Sequence, residues 1–337
     1  MKFTCSYFGN RTVRHVAADM RSLARQGFTA VLHTFSEFDL MFHRGTMRDI
    51  VAATRDAGLE AQLDPWGVGK VFGGEPFSQF VTQHLADACQ VLDDGGVAPL
   101  ACPNAPAFRD YMRLWIEAAA ETGAEVLFWD EPHFHSPAFL GGRPGRWGCR
   151  CEHCRERYER THGAPMPRRE TEDVLRFKTE SLLDLLRMLL RASARAGRRN
   201  HLYLSPHIAP AEAPRAWRPF ARLPHLETLG TGPYWQWMNF PIERVAEYAR
   251  AVKEICGRAG LESQLWIQGC KIPRGCEGEI ARAIDMACDA GIEHLAVWGF
   301  EGCACESWIA CEDPPAAWRA VLRGFRRARR MKNQQAS

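Results

Sequence analysis

No stretch of this sequence is apolar for long enough to cross a membrane, and Met1-Lys2-Phe3-Thr4-Cys5-Ser6-Tyr7 lacks the apolar core and small-residue cleavage site of a secretory leader. The expectation is a cytoplasmic protein with no membrane partner. Charge of one sign is lacking too. The 43 Lys and Arg against 40 Asp and Glu leave a formal +3, too little for an extended nucleic-acid footprint. Six Arg or Lys crowd Arg323 to Lys332, which reads as the solvated end of a last helix, where cations complement the helix dipole. An even cysteine count is also missing: thirteen thiols exclude a fully paired disulfide framework and raise the question of metal binding. No Gly-rich phosphate fingerprint follows the first apolar run, which argues against an open dinucleotide-binding sheet.

What is present is the composition of an ordinary globular protein, 46% hydrophobic and 25% charged. Short β-branched and aromatic runs begin near Phe3, Thr29, Glu60, Glu125, His201, Leu226, Ser263 and His294. Helical stretches separate them. The clearest runs from Thr12 to Gln26, with Val13, Val16, Ala17, Met20, Leu23 and Ala24 on one face and Gly27 as its stop. Others are expected near Met47, Ala107, Thr171, Ile242, Glu279 and Pro315. Eight βα units joined by right-handed crossovers predict an α/β fold, a single (β/α)8 TIM barrel. The 337 residues exceed the ~250 of a typical barrel, which leaves room for long loops but not for a second large domain. The barrel is expected over residues 1–322, with 323–337 as a basic helix end and tail.

In such a barrel the chemistry sits at the C-terminal ends of the strands. There the sequence places Tyr7, His33 with Glu37, Asp64 with Trp66, Trp129-Asp130-Glu131, His207, Tyr234-Trp235-Gln236-Trp237, Trp266 to Gln268, and Trp298 with Glu301. Indole faces stack on pyranose rings while carboxylates, amides and imidazoles hold hydroxyls, so His33, Asp64, Trp66, Trp129, His207, Tyr234, Trp235, Trp237, Trp266, Gln268 and Trp298 are candidate sugar contacts. Packing competes with this role, as it does outright for Trp115, Trp217 and Trp318. Cleaving a glycosidic bond needs a carboxylic acid to protonate the leaving oxygen, and usually a second carboxylate. Glu131, following the apolar run 126–129 and flanked by Asp130 and Pro132, is the candidate acid. The second carboxylate stays open between Asp130, Glu301, Asp64 and Glu37, because strand seven ends in Gln268, which cannot attack.

Cys149-Arg150-Cys151-Glu152-His153-Cys154 forms a C-x-C-x-x-C cluster, and Cys102 opens Cys102-Pro103-Asn104-Ala105-Pro106-Ala107-Phe108-Arg109. Four thiolates complete a closed tetrahedral zinc site, structural because no position is left for water. Over roughly Cys102 to Gly163 the chain resembles the barrel domain of the glycoside hydrolase family 42 β-galactosidases. That resemblance implies Cys102, from the segment before strand four, and Cys149, Cys151 and Cys154, from a Cys-rich insertion after it, as ligands of a structural zinc, and Glu131 as general acid/base. Three features depart from it: Asp130 replaces the family's Asn, Gln268 stands near its nucleophile, and the sequence given carries only one barrel. The adjacent Asp130-Glu131 pair is also similar to the substrate-assisted N-acetylhexosaminidases, where Asp positions an acetamido group.

The expected function is therefore a glycoside hydrolase acting on a carbohydrate substrate, in which homo-oligomerisation is an open possibility. The alternatives are a substrate-assisted hexosaminidase-like hydrolase, a metal-dependent sugar isomerase or lyase using His33, His207, Asp64 and Glu131, and a noncatalytic sugar-binding barrel. Cys270, Cys276, Cys303, Cys305 and Cys311 fall in loops after strands seven and eight, where a second metal, a disulfide or free thiols are the readings. Cys5, Cys89, Cys256 and Cys288 read as small buried hydrophobes.

Overall fold

A parallel strand sends alternate side chains to opposite faces, so closing eight of them gives every second residue an inside address. The computed structural model of the chain describes residues 1–137, 142–206 and 214–336. In chain order these form β1 (Lys2–Tyr7), α1 (Val13–Gln26), β2 (Ala30–Thr34), α2 (Glu37–Phe42), α3 (Arg44–Asp56), β3 (Glu60–Asp64), α4 (Gln79–Gln83), β4 (Cys89–Val91), β5 (Val97–Ala101), α5 (Pro106–Glu121) and β6 (Val126–Asp130). There follow α6 (Glu152–His162), α7 (Glu172–Arg195), β7 (Arg199–Tyr203), β8 (Thr228–Thr231), α8 (Arg244–Ala259), β9 (Glu262–Gln268), α9 (Gly278–Asp289), β10 (His294–Trp298) and α10 (Pro314–Ala336).

The strands close in the order β1-β10-β9-β8-β7-β6-β3-β2, a TIM barrel whose eight strands begin within two residues of the expected positions. Helix α1 ends as the sequence predicts: Gly27 adopts φ 90°, and its N–H donates to the Ala24 carbonyl. The apolar runs do not reveal the antiparallel hairpin β4–β5, which lies between barrel strands three and four. Helices α2 and α4, of six and five residues, are too short to show a helical period. Helix α10 runs unbroken across 322/323 and buries Phe325 and Ala328, with Phe325 4.6 Å from the ring of Phe3. Among the described residues no helix is long and apolar enough to cross a membrane.

Alternation sorts the side chains into two cores. Phe3, Cys5, Val31, Leu63, Leu127, Trp129, Leu202, Leu265 and Val297 face outward and join the helices in one large cluster. Leu32, Phe128, Tyr203, Trp266 and Ala296 face inward and fill the barrel beneath its mouth. Below them lies a polar layer in which the His294 ring meets Thr4 Oγ1 at 2.8 Å and the Gln264 amide at 2.9 Å.

The outer core is tightest where α5 meets β6. Trp115 is fully buried, lies 5.8 Å from Trp129 and donates its indole N–H to the Phe35 carbonyl at 2.8 Å. Trp115→Ala leaves a cavity and an unpaired carbonyl, so urea unfolding is expected to show a loss of about 3–5 kcal/mol. A loss under about 1 kcal/mol would refute this account of the interlayer packing.

Candidate active site

At the mouth, alternation continues past the inner core. Asp64 is in phase with Gln62 on β3, Asp130 with Phe128 on β6, Ser205 with Tyr203 beyond β7, and Trp298 with Ala296 on β10. By the same rule Glu131 would follow Trp129 outward. Its backbone instead takes φ 46°, left-handed and costly for a residue with a Cβ, which turns the side chain back to the mouth. Gly73 closes round the pair. Its N–H donates to the Asp130 carbonyl at 3.0 Å, and a Cβ there would stand 2.5 Å from Asp130 Oδ2 and 3.1 Å from Glu131 Oε2. Only glycine allows that approach.

Burial of several carboxylates in one place sets the electrostatics. Asp64 is fully buried, both its oxygens lack a hydrogen-bond partner, and desolvation with Glu131 and Glu75 nearby pushes its carboxyl well up. Desolvation, then Asp64 and Glu131, does the same to Asp130. Glu131 is raised to about 7, chiefly by burial and further by Glu75, while a hydrogen bond with Ser205 pulls the other way. Glu75 is raised in turn by burial and by Glu306. Lys70 supplies nearby positive charge while donating to the carbonyls of Gly74 at 2.8 Å and Pro76 at 3.2 Å. A group that holds its proton near neutrality, with neighbours that hold theirs harder, can donate one to a substrate.

Aromatic rings surround this acid cluster. Trp66 stacks on Phe8 at 5.6 Å, Phe8 meets Trp298 at 5.5 Å, and Trp298 meets Trp266 at 5.9 Å. Tyr203 and Tyr234 hydrogen-bond each other beside Glu131 and Asp130. On the loops after β8 and β10, Trp237 and Trp308 stand edge to face at 5.9 Å, with Lys271 Nζ 3.6 Å from the Trp308 ring centre.

The structure thus brings Asp64, Trp66, Asp130, Glu131, Tyr234 and Trp298 together, with Trp266 as the floor. Other expected contacts have different places. His33 points outward, bonds Thr54 Oγ1 on α3 at 2.8 Å, and is held neutral by burial, its pKa about 3. Trp129 is buried against α5 with its indole N–H on Asn200, and Trp235 is buried with its N–H on Glu279. Gln268 accepts from the N–H groups of Gln236 at 3.0 Å and Trp237 at 3.4 Å and donates to the Cys270 carbonyl at 2.8 Å. An amide is required there, since a carboxylate could not make the donation. Glu37 accepts from the Gly69 and Phe80 N–H groups and from Ser78, which makes it a structural carboxylate. Glu301 is exposed, and its acidic neighbour is Asp19 of α1. His207 lies outside the described residues. Sequence reasoning passed over Glu75, Tyr203, Ser205 and Gly73. Strand phase would have found Tyr203 and Ser205, and the Gly73-Gly74 pair is the one local signal for the loop.

Apart from this mouth, Cys102, Cys149, Cys151 and Cys154 are all buried, their sulfurs within 4.8 Å of one another. Cys102 Sγ is 3.4 Å from Cys154 Sγ and 3.5 Å from Cys151 Sγ, close to the ~3.8 Å edge of a tetrahedron with 2.3 Å metal–sulfur bonds. The Asn104 N–H and amide donate to the sulfurs of Cys102 and Cys154, a polar support typical of thiolate sites. The donor set fits a metal ion. Cys102 comes from the end of the β4–β5 hairpin, Cys149 and Cys151 from the loop after β6 and Cys154 from the first turn of α6, so the insertion after β6 is joined to the segment before it. Among the described residues no second such group occurs. Cys270 and Cys303 pack with Phe8 and Ile309 as free thiols, Cys311 is buried, Cys276 half-buried and Cys305 exposed.

No protein-family model matches the chain, and no curated protein matches it. Solved structures do. The catalytic domain of a β-amylase from Paenibacillus polymyxa is similar with a TM-score of 0.62 and 11% identity, covering 88% of this chain and 92% of that one. A candidate α-L-fucosidase from Bacteroides thetaiotaomicron gives 0.56 at 6% identity, covering 96% and 91%. A D-allulose 3-epimerase from Methylomonas sp. gives 0.52 at 11%, covering 97% and 98%. At such identities the likeness establishes the barrel fold.

Carboxyls whose folded pKa is raised favour the folded state while protonated, and that contribution is lost as pH climbs through the raised values. Asp64→Asn removes one such group. Its urea midpoint is expected to exceed the parent's at about pH 8 and to converge on it near about pH 4. A constant offset at all pH values would contradict the buried-acid account.

Proposed function

We propose that the chain is a glycoside hydrolase with Glu131 as general acid. The observation that carries this reading is the acid cluster: Glu131, turned into the mouth by its left-handed backbone, held at about 7 and ringed by aromatic side chains. In the reaction the Glu131 proton passes to the glycosidic oxygen as the bond to the anomeric carbon breaks. The aglycone departs as an alcohol, and water supplies the hydroxyl that ends on the sugar. Trp66 and Trp298 offer ring faces to the sugar, with Asp130 and Asp64 beside its hydroxyls. The likeness to the β-amylase and fucosidase barrels is consistent with this, and the family 42 resemblance adds the segment from Cys102 to Gly163.

A second reading concerns the displacement step. The inward strand-end groups of β9 and β10 are Gln268 and Trp298, whereas Asp64, Asp130 and Glu131 crowd the adjacent ends of β3 and β6. This one-sided distribution favours attack by a substrate's own acetamido oxygen, with Asp130 orienting it. The metal-dependent isomerase reading is less well supported, because the carboxylates influence one another without three ligating atoms converging within 4.8 Å among the described residues.

Glu131→Gln is expected to lower kcat/KM by about 10²–10⁴ on 4-nitrophenyl glycosides with the fold intact by circular dichroism. Because the acid must be protonated, parent activity should fall as pH rises through about 7. Full activity in the variant would exclude Glu131 as the acid. N-acetylhexosaminides cleaved in preference to the parent hexosides would support substrate assistance.

The thiol quartet is assigned to structural zinc, whose chemistry is that of a closed site which holds loops and leaves no ligand position for substrate. Native mass spectrometry is expected to find one zinc per chain, and Cys154→Ser to lose it and lower Tm. Retention of the metal by the variant would refute Cys154 as a ligand.

A further inference from the structure

A cavity of about 520 Å³ opens directly beside Glu131, beginning at Pro132, the residue after it, and at Ser205, its hydrogen-bond partner. Phe134, Leu204, Trp217 and Phe220 form one wall, where Trp217, packed as expected in the core against Tyr248, also borders the space. The opposite wall is α7. At 24 residues this helix is roughly 36 Å long, about twice the length of the five-residue strands β6 and β7 beside it. It therefore overshoots the barrel. Leu175, Lys178, Thr179 and Leu182, at the i, i+3, i+4, i+7 spacing that elsewhere faces a sheet, face the cavity. The charged groups on the walls are already paired: Lys178 bonds Glu170 at 2.8 Å and lies 5.7 Å from the Phe134 ring centre, and Arg146 pairs with Asp94 at 3.2 Å and Asp93 at 3.4 Å.

We infer that this cavity receives the leaving-group half of the substrate and that the group is an apolar, aromatic aglycone. The inference rests on the hydrolase reading of Glu131, and its direction follows from the geometry of proton donation. The acid must face the oxygen that departs, and Glu131 faces Ser205 and the cavity edge. The departing group then lies past Ser205, while the sugar lies over Asp64, Trp66 and Trp298. A second sugar would need hydroxyl partners on every side, whereas Phe134, Trp147, Leu175, Leu204, Trp217 and Phe220 make most of these walls indole, phenyl and aliphatic surface, with Ser136, Thr179 and Ser205 as scattered polar groups. The volume is within the ~300–1,000 Å³ range of small-molecule sites and suits a bicyclic ring system.

Free 4-methylumbelliferone, the aryl leaving group without its sugar, is the probe. Fluorescence titration is expected to show saturable binding to the parent. Thr179→Trp and Ala216→Trp, which fill the cavity from opposite walls without touching the acid cluster, should each weaken binding at least about tenfold. In parallel, 4-methylumbelliferyl glycosides should be cleaved with higher kcat/KM than methyl glycosides of the same sugar, and both filling variants should erase that preference. No binding, or binding unchanged in both variants, overturns the inference even if glycosides are hydrolysed. Binding blocked by the variants with no turnover of any glycoside in the panel leaves a cavity for an apolar aromatic ligand and overturns the hydrolase reading instead.

Discussion

Closure of eight parallel strands is the constraint on which the rest of this structure depends. It forbids a side chain from choosing its face: position along the strand decides whether a residue fills the barrel, lines its mouth or packs under a helix. Asp64, Asp130 and Trp298 are in the mouth because they fall on the inward phase, and His33 and Trp129 are excluded from it because they do not. The exception is Glu131, and the backbone conformation that releases it from the rule is energetically unfavourable. Strain of that kind persists where surrounding structure over-determines it, here through the Glu131 N–H bonded to the Tyr203 carbonyl and the close backbone of Gly73.

The mouth opposes the stability of the barrel that builds it. Ionised carboxylates out of water are costly unless paired, and neither carboxyl oxygen of Asp64 has a hydrogen-bond partner among the described residues. The barrel tolerates this because the outer core is extensive and continuous, from Phe3 on β1 through Trp115 on α5 to Phe325 on α10. The protons the cluster retains then become available for transfer.

Much of the fold was legible because its signals are local. β-branched runs, the helical period of α1 and the stop at Gly27 each need only neighbours in sequence. The candidate site was legible in part. Asp130, Glu131 and the four cysteines stand out by type and spacing, but Trp129 and Trp266 are chemically identical, and only strand phase separates the indole beneath a helix from the one beneath the mouth. Gln268 illustrates the other limit. Its three hydrogen bonds run to Gln236, Trp237 and Cys270, and nothing in the order of residues announces that a loop thirty positions upstream needs an amide to hold it. Short elements such as α2, α4 and the β4–β5 hairpin carry too few residues to establish a period.

The thiol quartet lies at the far end of the loop after β6, while β6 itself fixes the near end. Between them the described stretches 132–137 and 142–148 are tied to the loop after β3 and to the β4–β5 hairpin, with the His133 N–H on the Val71 carbonyl, the His135 N–H on Gln90 and Gly148 bridged to Leu92. The wall that holds Phe134 and Trp147 therefore belongs to neither the register of β6 nor the start of α6. Side chains on this wall can be revised while Glu131 stays where β6, the Tyr203 carbonyl and Gly73 hold it.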